Sequence, residues 1–255
     1  GDMALSANSY GWYASTSNMI VTTDFTREEN LLIWRYYYKV IALSNNVINS
    51  FGGNDAIPAT SAARHSLAQA KAYRAYAYFY LAQFFQRAYD PSQPILPYND
   101  GETISYAKVP ASQIYDLIER DLTQAVDFLD DFTPTSKQQF SKHVAKGLLA
   151  YTYAAMGNYP DAKILSEEII NSGAYPLTTR GQLAFPGAGS GFNNVNTASW
   201  MWGYDLTVEM GQQLLNWWGQ VDYFTYSYQF YGDRKTIDTN LLALIPATDI
   251  RRSQF

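Results

Sequence analysis

Residues 145–162 read Ala145-Lys146-Gly147-Leu148-Leu149-Ala150-Tyr151-Thr152-Tyr153-Ala154-Ala155-Met156-Gly157-Asn158-Tyr159-Pro160-Asp161-Ala162, and this stretch decides the fold. Val144, Leu148, Leu149, Tyr151 and Tyr153 mark a helix over about 137–156. Gly157-Asn158 permits a tight turn, because glycine reaches the left-handed backbone region without steric cost. A second helix follows at about 159–171 and closes on Gly173. Ala150 and Ala162 are small enough to let the two helices approach.

Leu149, Ala150, Tyr153, Gly157, Tyr159 and Ala162 fall at the offsets of the tetratricopeptide repeat, a helix hairpin of about 34 residues. The match covers one repeat; upstream, helices recur without a clean repeat. Thr26-Arg27-Glu28-Glu29 has capping-box spacing, and Leu32, Tyr36, Val40, Leu43 and Val47 then recur at helical intervals up to Phe51-Gly52-Gly53. A helix over about 61–87 interleaves alanines with Tyr73, Tyr76, Tyr78, Phe79 and Tyr80, which predicts a central, mostly buried element. The prolines after Asp90 end it and force an extended crossing. Pro110 opens the next helix, with Ile114, Ile118, Leu122, Ala125 and Leu129 as its buried stripe. The fold class is therefore mainly α: repeat-like hairpins with long irregular loops. Residues 1–177 form the helical scaffold with an irregular N-terminal segment, and residues 178–255 an irregular, aromatic-rich region.

Composition narrows the chemistry. The 255 residues carry 18 Lys+Arg against 23 Asp+Glu, a formal charge of −5, which disfavours nucleic acid. There is no cysteine and only His65 and His143, so thiolate metal sites, cysteine nucleophiles and histidine-rich centres are excluded. No apolar run reaches the roughly 18 residues of a membrane span. Aromatics and charged residues each make up 16%, against roughly 25% charged in ordinary soluble chains. Such a surface suits neutral polar ligands.

Several blocks carry a family resemblance. They are Tyr38 to Ile48; Ala70-Lys-Ala-Tyr-Arg74-Ala75-Tyr76; Ile114-Tyr115-Asp116 to Ala125; Ala145 to Tyr159 with Ile169 to Tyr175; and Ile245-Pro246 to Arg252. In this order they resemble the SusD/RagB family of surface glycan-binding lipoproteins. The resemblance implies glycan capture without catalysis or cofactor, and an outer-membrane, cell-surface location through a lipid anchor upstream. It further implies a SusC-like TonB-dependent transporter as partner and a C-terminal part that continues the ligand region.

A sugar presents an apolar C–H face that an indole or phenol ring can cover. The candidates are Trp12, Tyr13, Tyr204, Trp217 and Trp218, with Tyr98 and Tyr223 behind them and Asn18, Asn216, Gln220 and Asp222 as hydroxyl partners. For each ring the competing reading is core packing. Tyr73, Tyr76, Tyr80, Tyr151 and Tyr153 have core-like spacing and read as packing. Asp130-Asp131 and Glu167-Glu168 are adjacent acids that point apart on a helix, unlike a glycosidase pair. Asn99-Asp100-Gly101-Glu102 reads as a polar turn, with a faint hint of calcium. No metal site is expected. The alternatives are a helical-repeat scaffold for protein partners and, behind it, an all-α glycoside hydrolase.

Overall fold

The structure is a computed structural model describing residues 3–5, 14–183, 194–204, 228, 230–232, 235–249 and 252. The chain divides into two compact units, residues 33–205 and residues 1–32 with 206–255. The composition change at 177/178 falls inside the first of these.

In the smaller unit, β1 (Met3–Leu5) pairs antiparallel with β4 (Lys235–Ile237) in the register Met3↔Ile237. The unit also holds α1 (Ala14–Ser17), a 3₁₀ turn at Ile20–Thr22 and α8 (Thr239–Leu244). Asp238 caps α8 by accepting from the amides of Asn240 at 2.8 Å and Leu241 at 3.3 Å. The capping box expected at Thr26 does not form. The Thr26 hydroxyl donates to Asp24 at 2.6 Å, and Glu29 accepts from Ser15.

The larger unit contains most of α2 (Glu28–Ser50), then α3 (Ser61–Phe85), the hairpin β2 (Pro94–Asn99) and β3 (Ile104–Pro110), α4 (Ala111–Phe128), α5 (Lys142–Ala155), α6 (Tyr159–Asn171) and α7 (Arg180–Leu183). Thr60 caps α3 by accepting from the Ala63 amide at 3.3 Å, and Ser141 caps α5 from Val144 at 3.1 Å. Residues 137–141, expected as helix, are the connection that leads into this cap. The proline-rich crossing is a strand, and β3 pairs back on it through a bulged register.

Helix α3 is central as expected. Ala68, Ala72, Ala75, Ala77 and Ala82 are fully buried, so α4 lies close against it. α4 then packs on α5, and α5 on α6, in sequence order. Each fully buried Leu or Ile on these faces, such as Leu67, Ile114 and Leu122, contributes roughly 1.5–3 kcal/mol.

Helix α2 departs from its sequence reading. Leu32, Tyr36, Leu43 and Val47 are exposed, and the buried residues are Ile41, Ser44, Asn45 and Ile48. Both sets have helical spacing. The buried face is the one that carries Asn45, because Asn45 belongs to the polar centre described next.

Candidate functional site

Arg74 lies in the middle of α3 with no exposed surface. Its Nε and Nη2 donate to both carboxylate oxygens of Asp121 on α4, each at 2.7 Å. Nη1 donates to Asn45 Oδ1 at 2.9 Å and to the Asp100 carbonyl at 2.6 Å, and Nη2 also reaches Asn54 Oδ1 at 2.8 Å. One guanidinium thus joins α2, the α2–α3 loop, the β2–β3 turn and α4. The Lys71 ammonium, one turn earlier, donates to the Asn54 carbonyl at 2.5 Å and lies 3.7 Å from Asp121. Burial lowers the pKa of Lys71 against the pull of Asp121.

The turn 99–102 is closed by its own side chains. Asp100 Oδ1 accepts from the amides of Glu102 and Thr103 at 3.1 and 2.8 Å, and Oδ2 from the Tyr98 hydroxyl at 2.9 Å. Burial raises the pKa of Asp100, but these donors together with Arg74 outweigh it and the net shift is downward. Burial and Asp100 together push the Tyr98 hydroxyl up to about 12. Tyr98 is therefore a wall of this centre and not a ligand platform.

Aromatic rings occupy the other side of α3. Tyr37 stacks on Tyr80 with centroids 6.1 Å apart, and Trp34 meets Phe85 edge-on at 5.1 Å. Residues 194–204 are a series of turns that fold back on α3; the sequence suggests a short strand or extended segment over 198–206, and the described part of it, 198–204, forms none. The Trp202 indole N–H donates to the Gln138 carbonyl at 2.8 Å, and its ring packs on Phe140 at 5.0 Å and Tyr76 at 5.2 Å. A Cβ on Gly203 would lie 3.0 Å from Trp200 and Val195, so glycine permits this return.

Between the returning segment and α5–α6 lies a groove of about 370 Å³. Tyr76, Tyr80, Tyr151 and Trp202 supply its rings, Ile169 and Met201 its aliphatic walls, and Gly147 part of its floor. Burial raises the pKa of Tyr76. The groove combines flat apolar faces with phenolic hydroxyls, and no carboxylate lines it among the described residues. It can desolvate one face of a ligand and hydrogen-bond its edge.

Besides Tyr98, the described residues among those singled out for ligand binding are Asn18 and Tyr204. Both are exposed, and they belong to different compact units. Tyr204 stands close enough to Tyr73 to help raise its pKa, after burial. Trp12, Tyr13, Asn216, Trp217 and Trp218 lie outside the described residues, as do Gln220, Asp222 and Tyr223. Of the five tyrosines read as packing, Tyr73, Tyr76, Tyr80 and Tyr153 do pack against the core, although Tyr76 and Tyr80 also line the groove. Tyr151 is 64% exposed in the groove wall, contrary to its spacing. Trp202 went unread because its partners, Phe140 and Tyr76, are distant in sequence.

The adjacent acids bind separate partners. Asp130 pairs with Lys142, Asp131 with His65, Glu168 with Lys146 and Glu167 with Lys163. Among the described residues no group of three or more His, Cys, Asp or Glu is placed to hold a metal ion, and no helix is long and apolar enough to cross a membrane.

The fold and groove define a class of architecture: stacked helix hairpins that carry an aromatic recess. A SusD-like family model, described as starch-binding and associating with the outer membrane, matches residues 1–154. The chain belongs to this SusD-like family. Among solved structures it is similar to a SusD-like carbohydrate-binding protein from Bacteroides vulgatus, with 22% identity and a TM-score of 0.69 over 88% of this chain and 46% of that one. It is also similar to a SusD superfamily protein from the same species, with 18% identity and a TM-score of 0.62 over 87% of this chain and 50% of that one. At these identities the likeness concerns the fold. The chain spans about half the length of these relatives. No curated protein matches.

Proposed function

We propose that this protein captures oligosaccharide at the cell surface and passes it, unhydrolysed, to a TonB-dependent outer-membrane transporter of the SusC type. A lipid anchor upstream of residue 1 holds it to the outer membrane. Family membership supports the ligand class, and the relative of highest structural similarity quoted above carries carbohydrate binding in its description. The observation that carries the reading in this chain is the groove, where Tyr76, Tyr80, Tyr151 and Trp202 offer ring faces and, among the described residues, no carboxylate pair lies beside them. Each ring that stacks on a sugar contributes on the order of 1–2 kcal/mol by area. Trp12, Tyr13, Trp217, Trp218 and Tyr204, with Asn18 and Asn216, remain separate candidates for ligand contact in this proposal.

The test is a tryptophan-fluorescence titration against a panel of polysaccharides, with reducing-end release followed in parallel. Saturable quenching by one glycan, weakened about tenfold in Tyr151→Ala and without reducing-end release, is the expected result. Tyr151 is exposed, so this variant keeps its fold. Release of reducing ends, or binding indifferent to Tyr151, refutes the reading.

A further inference from the structure

The groove holds a glycine that nothing in the chain around it requires. Gly147 lies inside α5, where glycine is destabilising relative to alanine because it gives up more chain entropy. Its backbone is helical and does not enter the left-handed region. A Cβ built on it would meet Ile169 Cδ1 at 3.8 Å and Met201 Cε at 3.9 Å, both ordinary van der Waals contacts. Gly203 is the contrast, with a Cβ crowded to 3.0 Å. Alanine would therefore fit at 147 and strengthen the helix. What the glycine leaves instead is a notch that opens on the groove.

Tyr151 follows one turn later on the same face of α5, largely exposed. Helical side chains lean toward the N-terminus, so its ring lies over the turn that carries Gly147. A sugar stacked on this ring directs a substituent at the notch. Among the described residues the groove is lined by no ionisable side chain other than tyrosine, so a charged substituent would lose its hydration without a counter-charge. The Trp202 N–H is committed to the Gln138 carbonyl and the Ser166 hydroxyl to the Ala162 carbonyl, each at 2.8 Å. The two atoms beside the notch are methyl carbons. They offer a hydroxyl neither donor nor acceptor, and an acetamido group would bury two polar atoms there. A methyl group loses no hydrogen bond and gains apolar contact.

We propose that the groove recognises a 6-deoxyhexose unit of the captured glycan, its ring on Tyr151 and its C6 methyl against Gly147 between Ile169 and Met201. This rests on the capture reading above and narrows its ligand. Gly147 is then the residue that sets specificity.

The probes are two pairs of methyl glycosides that differ only by the hydroxyl on C6: α-L-fucoside against α-L-galactoside, and α-L-rhamnoside against α-L-mannoside. Each is titrated against the whole chain by saturation-transfer NMR, which also reports the ligand protons that touch the protein. In at least one pair the deoxy member is expected to bind about tenfold tighter, with its C6 methyl the most strongly saturated group. Gly147→Ala fills the notch and should weaken that sugar about tenfold, while raising the melting temperature by about 2–4 °C. Lost binding with gained stability is the signature of a residue kept for its ligand. Tyr151→Ala separates the two readings. If both members of a pair bind alike and depend on Tyr151, the groove captures sugar without reading C6, and this inference alone falls. Normal binding by Gly147→Ala, or N-acetylglucosamine bound as tightly as the deoxy sugar, overturns it in the same way. If neither pair binds, the 6-deoxyhexose assignment falls and the polysaccharide panel still tests capture. Binding indifferent to Tyr151 refutes both.

Discussion

Replacing Asp121 by Asn should remove a large part of the stability of the protein. Asp121 is fully buried and is the shared counter-charge of two buried cations, Arg74 at 2.7 Å and Lys71 at 3.7 Å. The substitution keeps the volume but replaces one accepting oxygen with an amide that donates toward a guanidinium. Breaking one partner of a buried ion pair costs about 3–5 kcal/mol, because the remaining charge has no compensation. Against a total stability of about 5–15 kcal/mol, that is two to four powers of ten in the folded-to-unfolded ratio. Urea unfolding at neutral pH, followed by circular dichroism, measures it as a lower midpoint at unchanged slope. A loss below about 1 kcal/mol would refute the view that this pair clamps the unit. An apolar double variant, Arg74→Met with Asp121→Leu, extends the test. Apolar replacement of a simple buried pair is often harmless. Here it strands the oxygens of Asn45, Asn54 and Asp100, at about 1–3 kcal/mol each, and leaves Lys71 without its counter-charge. The double variant should therefore be no more stable than Asp121→Asn.

Two further predictions concern the same unit. Among the described residues nine tyrosines, including Tyr76, Tyr78, Tyr98 and Tyr153, have pKa values raised by burial, with Tyr98 and Tyr153 pushed to about 12. Unfolded tyrosine ionises near 10, so their contribution is complete below that pH and is lost as pH rises toward 12. Lys71, lowered from 10.5, acts oppositely and is relieved as pH approaches that value. The net expectation is cooperative alkaline unfolding coincident with tyrosinate absorbance; free titration of these tyrosines near 10 without unfolding would contradict it. Gly53→Ala should cost about 1–3 kcal/mol by thermal melting, because φ is +97° and the new Cβ meets the Glu102 carboxylate that holds the Asn54 amide. Adding Glu102→Ala removes the collision but not the backbone strain, so it should restore only part of the loss; full restoration would show that φ is not limiting.

The helical scaffold was legible because its signals are local. The 145–173 hairpin follows from Gly157, Gly173 and the two facing alanines, and Tyr159–Asn171 lies where the spacing puts it. The alanine content of α3 correctly marked it as central. Other elements were not legible. β3 carries Ala107 and Lys108 in a weakly alternating run and exists only because β2 lies beside it. Helix α2 offered two faces of equal spacing, and only the position of Arg74 decides between them. The groove has the same origin: Trp202, Phe140 and Tyr76 are brought together by the return of residues 194–204.

The sequence by itself determined the class of the protein, since helix periodicity, small-residue contacts and turn glycines act within a few residues and survive without knowledge of the whole. Its lack of cysteine likewise rules out a thiolate ligand or nucleophile from within these 255 residues. Only the tertiary structure decided which rings are walls and which are surfaces, and which polar groups are satisfied. A tyrosine at helical spacing buries or exposes its ring according to what packs opposite, as Tyr153 and Tyr151 show two residues apart. An asparagine is satisfied or left wanting according to partners twenty or more residues away, and Asn54 is both at once: its oxygen held by Arg74, its nitrogen unpartnered among the described residues.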